Sequence, residues 1–400
     1  MGLETSRIFI LGKNKELSIA EILSWLEAHG SAFRIKDIGK YFLHLQLDRE
    51  APPIEQLGGT IKIVKPLFEC SEKELPGFME SMPLESLFPR MEKENIFGVS
   101  LYGTKNTEPH MQARLSMIIK EKLKEEGKTA RFMPSRPNEP WLTHVEIIKK
   151  DLIKKSADIC VCIAGEKAYI GRTEEVHNPF GFQKRDVGRP SQRTGLSMPP
   201  RLAKILVNLS GARKTLLDPF CGIGTILQEA LLNGLEVVGT DIDPSAISMC
   251  RENVKWLSHE YNISPEKAER VFQHDAGRIS AAISEHSMDG IATEPPFGPM
   301  LRQKPTYREA RTIVTSLEGT YFKSLRAMRK VLKPEGKIAM TFPRFRVRKG
   351  VRMEAEKIAE RTGFAVYDIL EKYRVPHIYP VLDFEPRHVI MREVHVFRKA

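Results

Sequence analysis

Apolar positions along the chain change their period part-way through. Residues 7–11 hold a short apolar run, Ile8 to Leu11, and read as a strand. Over 18–29, Ile19, Ile22, Leu23 and Leu26 recur at helical spacing, with Ser18 as N-cap and Glu21 three residues on as a capping box. Residues 41–47 alternate and read as a strand, 51–57 as the start of a second helix, and 61–64 as another strand. That predicts a small α+β module over 1–64. A second α+β block is expected over 65–170, with strands at 96–101, 130–132, 145–148, 158–164 and 167–170. Its helix, 109–124, carries Leu115, Ile118, Ile119 and Leu123 on one face.

Between 171 and 195 the periodicity stops. Gly, Pro, Arg and Asn dominate, and the stretch reads as a linker. From Pro199 strands alternate with helices. Pro199 and Pro200 suit the first turn of a helix capped by Ser197. Strands are expected at 215–217, 236–240, 270–273, 289–293, 337–342, 365–370 and 388–397. Helices are expected at 225–233, 245–256, 307–332 and 354–362. This alternation over 196–400 predicts an α/β fold, a mostly parallel doubly wound sheet.

Composition adds limits. At 400 residues the chain is long enough for two or three domains of ~150 residues. No apolar run reaches the roughly 18 residues of a membrane span, and the N-terminus lacks the long apolar core of a signal peptide. The five cysteines, Cys70, Cys160, Cys162, Cys221 and Cys250, form no CxxC pair, so neither a disulfide framework nor a metal site is predicted and a cytoplasmic protein is expected. A net charge of +11 favours polyanionic partners, through counterion release from phosphates.

Four segments carry chemistry. Asp218-Pro219-Phe220-Cys221-Gly222-Ile223-Gly224-Thr225 follows a strand and opens a helix. Its glycines let a backbone approach a ligand closely. The third glycine of a dinucleotide GxGxxG turn is absent. Asp241 ends the next strand, where a carboxylate can accept both hydroxyls of a ribose. Asp275, after the third strand, can accept from an adenine amine or cap a helix. Thr293-Glu294-Pro295-Pro296-Phe297 follows the fourth strand. A carboxylate and a rigidly held carbonyl there could take the two hydrogens of an exocyclic amine while an aromatic ring stacks on the base.

These segments, with the stretch from Asn178 to Gly211, resemble the archaeal and eukaryotic tRNA guanosine-N2 methyltransferases, class I enzymes with an N-terminal THUMP domain. The resemblance implies a Rossmann-like S-adenosylmethionine-dependent domain over 196–400, a THUMP-like RNA-binding block over 65–170 and a ferredoxin-like domain over 1–64. It implies methylation of the N2 amine of guanosine at position 10 of tRNA. Asp218, Phe220, Cys221, Gly222, Gly224 and Thr225 would border the cofactor, Asp241 and Ile242 its ribose side, and Asp275 and Ala276 its adenine. Glu294, Pro295, Pro296 and Phe297 would hold the guanine. The family's usual acid in the last motif is Asp, where this chain has Glu294. Some members work with a small zinc-binding activator subunit.

Alternatives remain at this level. The last motif alone also suits a DNA amino methyltransferase, and the Glu substitution suits a non-catalytic RNA-binding protein. Cys221 reads as a packing residue in the cofactor turn and not as a nucleophile. Arg344, Arg346, Arg348, Lys349 and Arg352 form a basic run that reads equally as a phosphate contact or a solvated surface.

Overall fold

The computed structural model of the chain describes residues 5–103, 108–136, 139–154, 156–193, 198–301, 303–348, 350–385 and 388–400. They form two compact units, one within residues 5–15, 31–55 and 59–181, the other within residues 16–30, 56–58 and 182–400. Helix α1 (Lys15–Ala28) therefore counts with the second unit from Glu16 on.

The first unit is built on a mixed sheet of eight strands: β1 (Thr5–Leu11), β2 (Phe33–Ile38), β3 (Phe42–Leu47), β4 (Thr60–Ser71), β5 (Glu94–Tyr102), β6 (Thr129–Phe132), β7 (Ala157–Ala164) and β8 (Lys167–Val176). The order is β2-β3-β1-β4-β8-β7-β5-β6, with β5 parallel to both β6 and β7 and every other pair antiparallel. Helices α2 (Leu75–Ser81) and α3 (Glu108–Glu125) cover it, and Leu115, Ile119 and Leu123 bury against Val99, Leu101 and Ile159. The expected boundary between residues 64 and 65 falls inside β4, which pairs β1 through Val64 and β8 through Ser71.

Several local expectations are corrected. Residues 145–148 are helical, within α4 (His144–Lys149). Their β-branched residues suggested a strand, but the Thr143 hydroxyl accepts from the Glu146 amide and the Glu146 carboxylate from the Thr143 amide, a capping box that starts a helix. Ser18 is no N-cap: it lies buried inside α1, and Glu21 accepts instead from the Gly58 amide and the Asn208 side chain. Residues 51–57 form only a single 3-10 turn, Ile54–Gln56. The supposed linker carries the end of β8 and helix α5 (Pro179–Val187). Its Arg185 and Arg189 are held by the buried Glu229 and Thr225, which a hydrophobic pattern does not reveal. Ser197 and Lys349 lie outside the described residues.

The second unit alternates as expected: α6 (Pro200–Leu209), β9 (Thr215–Asp218), α7 (Thr225–Leu232), β10 (Glu236–Asp241), α8 (Pro244–Glu260), β11 (Arg270–Gln273), β12 (Met288–Thr293), α9 (Tyr307–Val331), β13 (Leu332–Phe345), β14 (Val351–Arg352), α10 (Ala355–Arg361), β15 (Phe364–Val366), α11 (Ile369–Lys372), β16 (Val381–Asp383) and β17 (Ile390–Lys399). The expected strand at 365–370 stops at Val366, because Asp368 caps α11 by accepting from the Leu370 and Glu371 amides. The main sheet runs β11-β10-β9-β12-β13-β17-β15. Strands β9 to β13 are parallel, whereas β17 is antiparallel to its neighbours. Helices cover both faces. Val238 of β10 packs with Tyr321 and Leu325 of α9, while a Cβ on the adjacent Gly239 would lie 2.3 Å from Leu227 of α7. The chain steps outward from β9 to β11 and then returns to β12 on the other side of β9. The reversal of strand order between β9 and β12 opens a crevice at their carboxyl ends, where doubly wound sheets bind ligands.

Candidate active site

The turn after β9 is shaped by two left-handed glycines, Gly222 at φ +51° and Gly224 at φ +90°. The Gly222 amide donates to Asp241 Oδ2 at 2.9 Å, and the Asp243 amide to Asp241 Oδ1 at 3.0 Å. Each carboxylate oxygen keeps a second lone pair for a ligand. Asp243 is the N-cap of α8, accepting from the Ser245 amide at 2.9 Å, which leaves Asp241 to the crevice. Asp275 caps a 3-10 turn by accepting from the Gly277 amide and also lines the crevice. The supposed linker buttresses the turn. Arg189 donates to the Thr225 hydroxyl at 2.7 Å, and Asn253 bridges the Ser191 amide and the Ile223 carbonyl.

Asp218 is buried at 1 % exposure. Its Oδ1 accepts from the Thr293 hydroxyl at 2.6 Å and the Phe220 amide at 3.1 Å. Burial, with the negative charges of Asp241 and Glu294 behind it, outweighs those hydrogen bonds and pushes its carboxyl up to about 7. The neighbouring Cys250 thiol, followed by burial, pushes the Cys221 thiol well up. Cys221 is therefore no activated nucleophile, in keeping with a packing role.

After β12, Glu294 does not stand alone as a free acceptor. Arg392 of β17 grips it with two hydrogen bonds, Nε to Oε2 at 2.6 Å and Nη2 to Oε1 at 3.2 Å, and the Thr341 hydroxyl of β13 adds a third to Oε2 at 3.2 Å. The Arg392 side chain is only 4 % exposed. The Pro296 carbonyl accepts from the Tyr321 hydroxyl at 3.1 Å, which fixes the Pro-Pro step. Sequence reasoning missed Arg392. Hydropathy gave no signal for it, because Arg392 stands beside Glu393 in a strand of mixed polarity and reads as a surface charge.

One cavity of about 780 Å³ gathers these groups. Asp218, Phe220, Cys221, Gly222 and Thr225 line it from the turn, Asp241, Ile242, Asp275 and Ala276 from the next two strand ends, and Glu294 to Phe297 from the fourth. Gly224 faces inward instead, where a Cβ would stand 2.8 Å from Cys250 Sγ. Arg193, Met198, Thr320, Lys323, Ser324 and Ile390 are among further residues of the wall and were not anticipated. The volume lies in the usual range of small-molecule sites. The residues fit S-adenosylmethionine: Ile242 is exposed beside the ribose-type acceptor Asp241, and the buried Ser324 hydroxyl makes no hydrogen bond among the described residues.

The basic run divides. Arg344 and Arg352 pair with the buried Glu393 at 3.3 and 3.7 Å, and Arg346 lies over the Phe384 ring. Arg348 is exposed. Among the described residues no three His, Cys, Asp or Glu side chains are grouped to hold a metal ion, and no helix is long and apolar enough to cross a membrane.

Residues 189–367 match the UPF0020 family model, an RMKL-like methyltransferase domain. The second unit has a Rossmann-like methyltransferase fold. The chain is 30% identical over 225 residues to the tRNA (guanine(10)-N2)-dimethyltransferase of Pyrococcus abyssi, covering 56% of this chain and 60% of that protein. It is 38% identical over 154 residues to the protein of the same name from Methanothermobacter thermautotrophicus, covering 38% and 43%. The chain thus spans between two fifths and three fifths of these relatives' length. The crystal structure of TrmN from Thermus thermophilus superposes with a TM-score of 0.55 at 19% identity, over 99% of this chain and 100% of that one, which shows a shared fold.

Proposed function

We propose that this protein transfers a methyl group from S-adenosylmethionine to the exocyclic N2 amine of a guanosine in tRNA, at position 10. The observation that carries the reading is the single cavity joining the Gly222 turn and Asp241 to the Glu294–Pro295–Pro296–Phe297 segment across the strand-order reversal. The local similarity to archaeal proteins named for that reaction supports the choice of amine and RNA. The first unit, expected to be THUMP-like, and the net charge of +11 suit a polyanionic substrate.

S-adenosylmethionine supplies an electrophilic methyl group. Everything else falls to the chain. Asp241 would accept from the cofactor's ribose hydroxyls beside Ile242, and Asp275 and Ala276 would hold its adenine. The target guanine leaves its stack to enter the cavity. Glu294 Oε2 already accepts from Arg392 and Thr341, and Oε1 from Arg392 alone. A carboxylate has about four lone-pair sites, so Oε1 retains one acceptor position. It takes one amine hydrogen, and the Pro295 carbonyl takes the other. Phe297 stacks on the base, and the nitrogen lone pair is left aimed along the transfer axis.

The test is nucleoside mass spectrometry of tRNA incubated with protein and S-adenosylmethionine, beside duplex DNA. N2-methylguanosine in tRNA, lost in Glu294→Ala, supports the reading. Methylated adenine or cytosine in DNA, or unchanged transfer by Glu294→Ala, refutes it.

A further inference from the structure

Arg392 touches two parts of the base-holding segment at once. Its guanidinium grips both oxygens of Glu294, and its carbon Cζ lies 5.9 Å from the centre of the Phe297 ring. The opposite flank is held as well, since Arg392 Nη1 lies 3.8 Å from Asp383 of β16, the strand paired beside it. Glu294 follows β12, Thr341 sits on β13 and Arg392 on β17, so the contacts tie three neighbouring strands of the sheet. Glutamate has one more rotatable bond than aspartate. A free glutamate would sample several carboxylate positions. The planar guanidinium fork admits only one. That fork and the Thr341 hydroxyl fill Oε2 and leave one acceptor position on Oε1, and Glu294 lines the cavity while Arg392 does not.

We propose that Arg392 is a positioning residue for the target base, which acts through Glu294 by selecting Oε1 as the single acceptor for the amine. The inference rests on the reading of Glu294 to Phe297 as the base-holding segment. It also gives the longer acid a role: the extra methylene carries the carboxylate about 1.5 Å further out, toward β17.

Methyl transfer to a tRNA transcript, measured under saturating substrate alongside calorimetric binding of S-adenosylmethionine, tests it with three variants. Arg392→Lys keeps the charge but not the fork. It should lower kcat about tenfold, with affinity for S-adenosylmethionine unchanged. Arg392→Met should lower kcat about 100-fold, the scale of a misplacement near 1 Å. Glu294→Gln combined with Arg392→Met, which also removes the unpaired carboxylate should Arg392→Met alone not fold, should be no slower than Glu294→Gln alone. Wild-type kcat in Arg392→Lys, or losses that multiply in the double variant, overturn the positioning role while leaving Glu294 in place. Wild-type kcat in Glu294→Gln overturns the underlying reading and the positioning role with it.

Discussion

The Thr293 hydroxyl donates to Asp218 Oδ1 at 2.6 Å, between the last residue of β12 and the last residue of β9. These strands are parallel neighbours at the reversal of strand order. The bond therefore couples the turn proposed for the cofactor to the segment proposed for the base, where relative placement of the two reactants determines the rate.

The Asp218 carboxyl makes stability depend on pH. Its folded value is raised from 3.8 to about 7 by burial, then by Asp241 and Glu294. Between those values the folded chain keeps a proton that the unfolded chain has lost, so stability falls as pH rises from about 4 to about 7. Above that window the penalty is at most ~4 kcal/mol. Asp218→Asn removes it while its amide oxygen still accepts from Thr293 and Phe220. Thermal unfolding without S-adenosylmethionine should show a higher Tm than wild type at pH 8 and a much smaller difference at pH 5. An equal difference at both values would exclude the titration.

The strand–helix alternation of the second unit was legible because buried parallel strands are short apolar runs bounded by turns, as in 215–217 and 289–293. The thirteen predicted residues that line the cavity share one edge because each ends or follows a strand of the same sheet. Polar tethers were not legible. Arg185, Arg189 and Arg392 look like surface charges in a hydropathy pattern, and only the fold shows the first two beside buried partners and Arg392 beside the half-buried Glu294. Strand β2, FRIKDI, was missed because no position in it is fully buried, so alternation was weak.

Gly224 is fixed by both conformation and space. Its φ of +90° is strained for any residue with a side chain, and a Cβ would meet Cys250 Sγ at 2.8 Å. Gly224→Ala should lower stability by at least ~1–2 kcal/mol from the backbone alone. Adding Cys250→Ala should recover the steric part but not the backbone part. Denaturant midpoints of the two variants separate the contributions; full recovery in the double variant would mean that backbone strain is negligible.

Asp241 joins the turn to the crevice through the Gly222 and Asp243 amides. Asp241→Ala should weaken S-adenosylmethionine binding by roughly 1.5–3 kcal/mol, the scale of hydrogen bonds to a charged group. Binding of tRNA, followed separately by filter retention, should not change. Unaltered calorimetric affinity for the cofactor would remove Asp241 from the site.

Glu229 of α7 makes the supposed linker part of the fold. It is fully buried and accepts from Arg185 of α5 at 2.6 and 3.2 Å, with Lys204 of α6 at 3.3 Å. Removing the one carboxylate leaves two cations in a dry interior. Glu229→Ala should therefore destabilise by ~3–5 kcal/mol, far beyond the scale of an exposed pair. Replacing all three by apolar residues of similar size, Arg185→Met, Lys204→Met and Glu229→Leu, should recover most of that loss, because desolvation of the charges disappears with them. Urea unfolding of the single and triple variants decides the matter. A single-variant loss below about 1 kcal/mol would place the triad among exposed ion pairs, and the linker would then contribute little to holding α7 and the turn that precedes it.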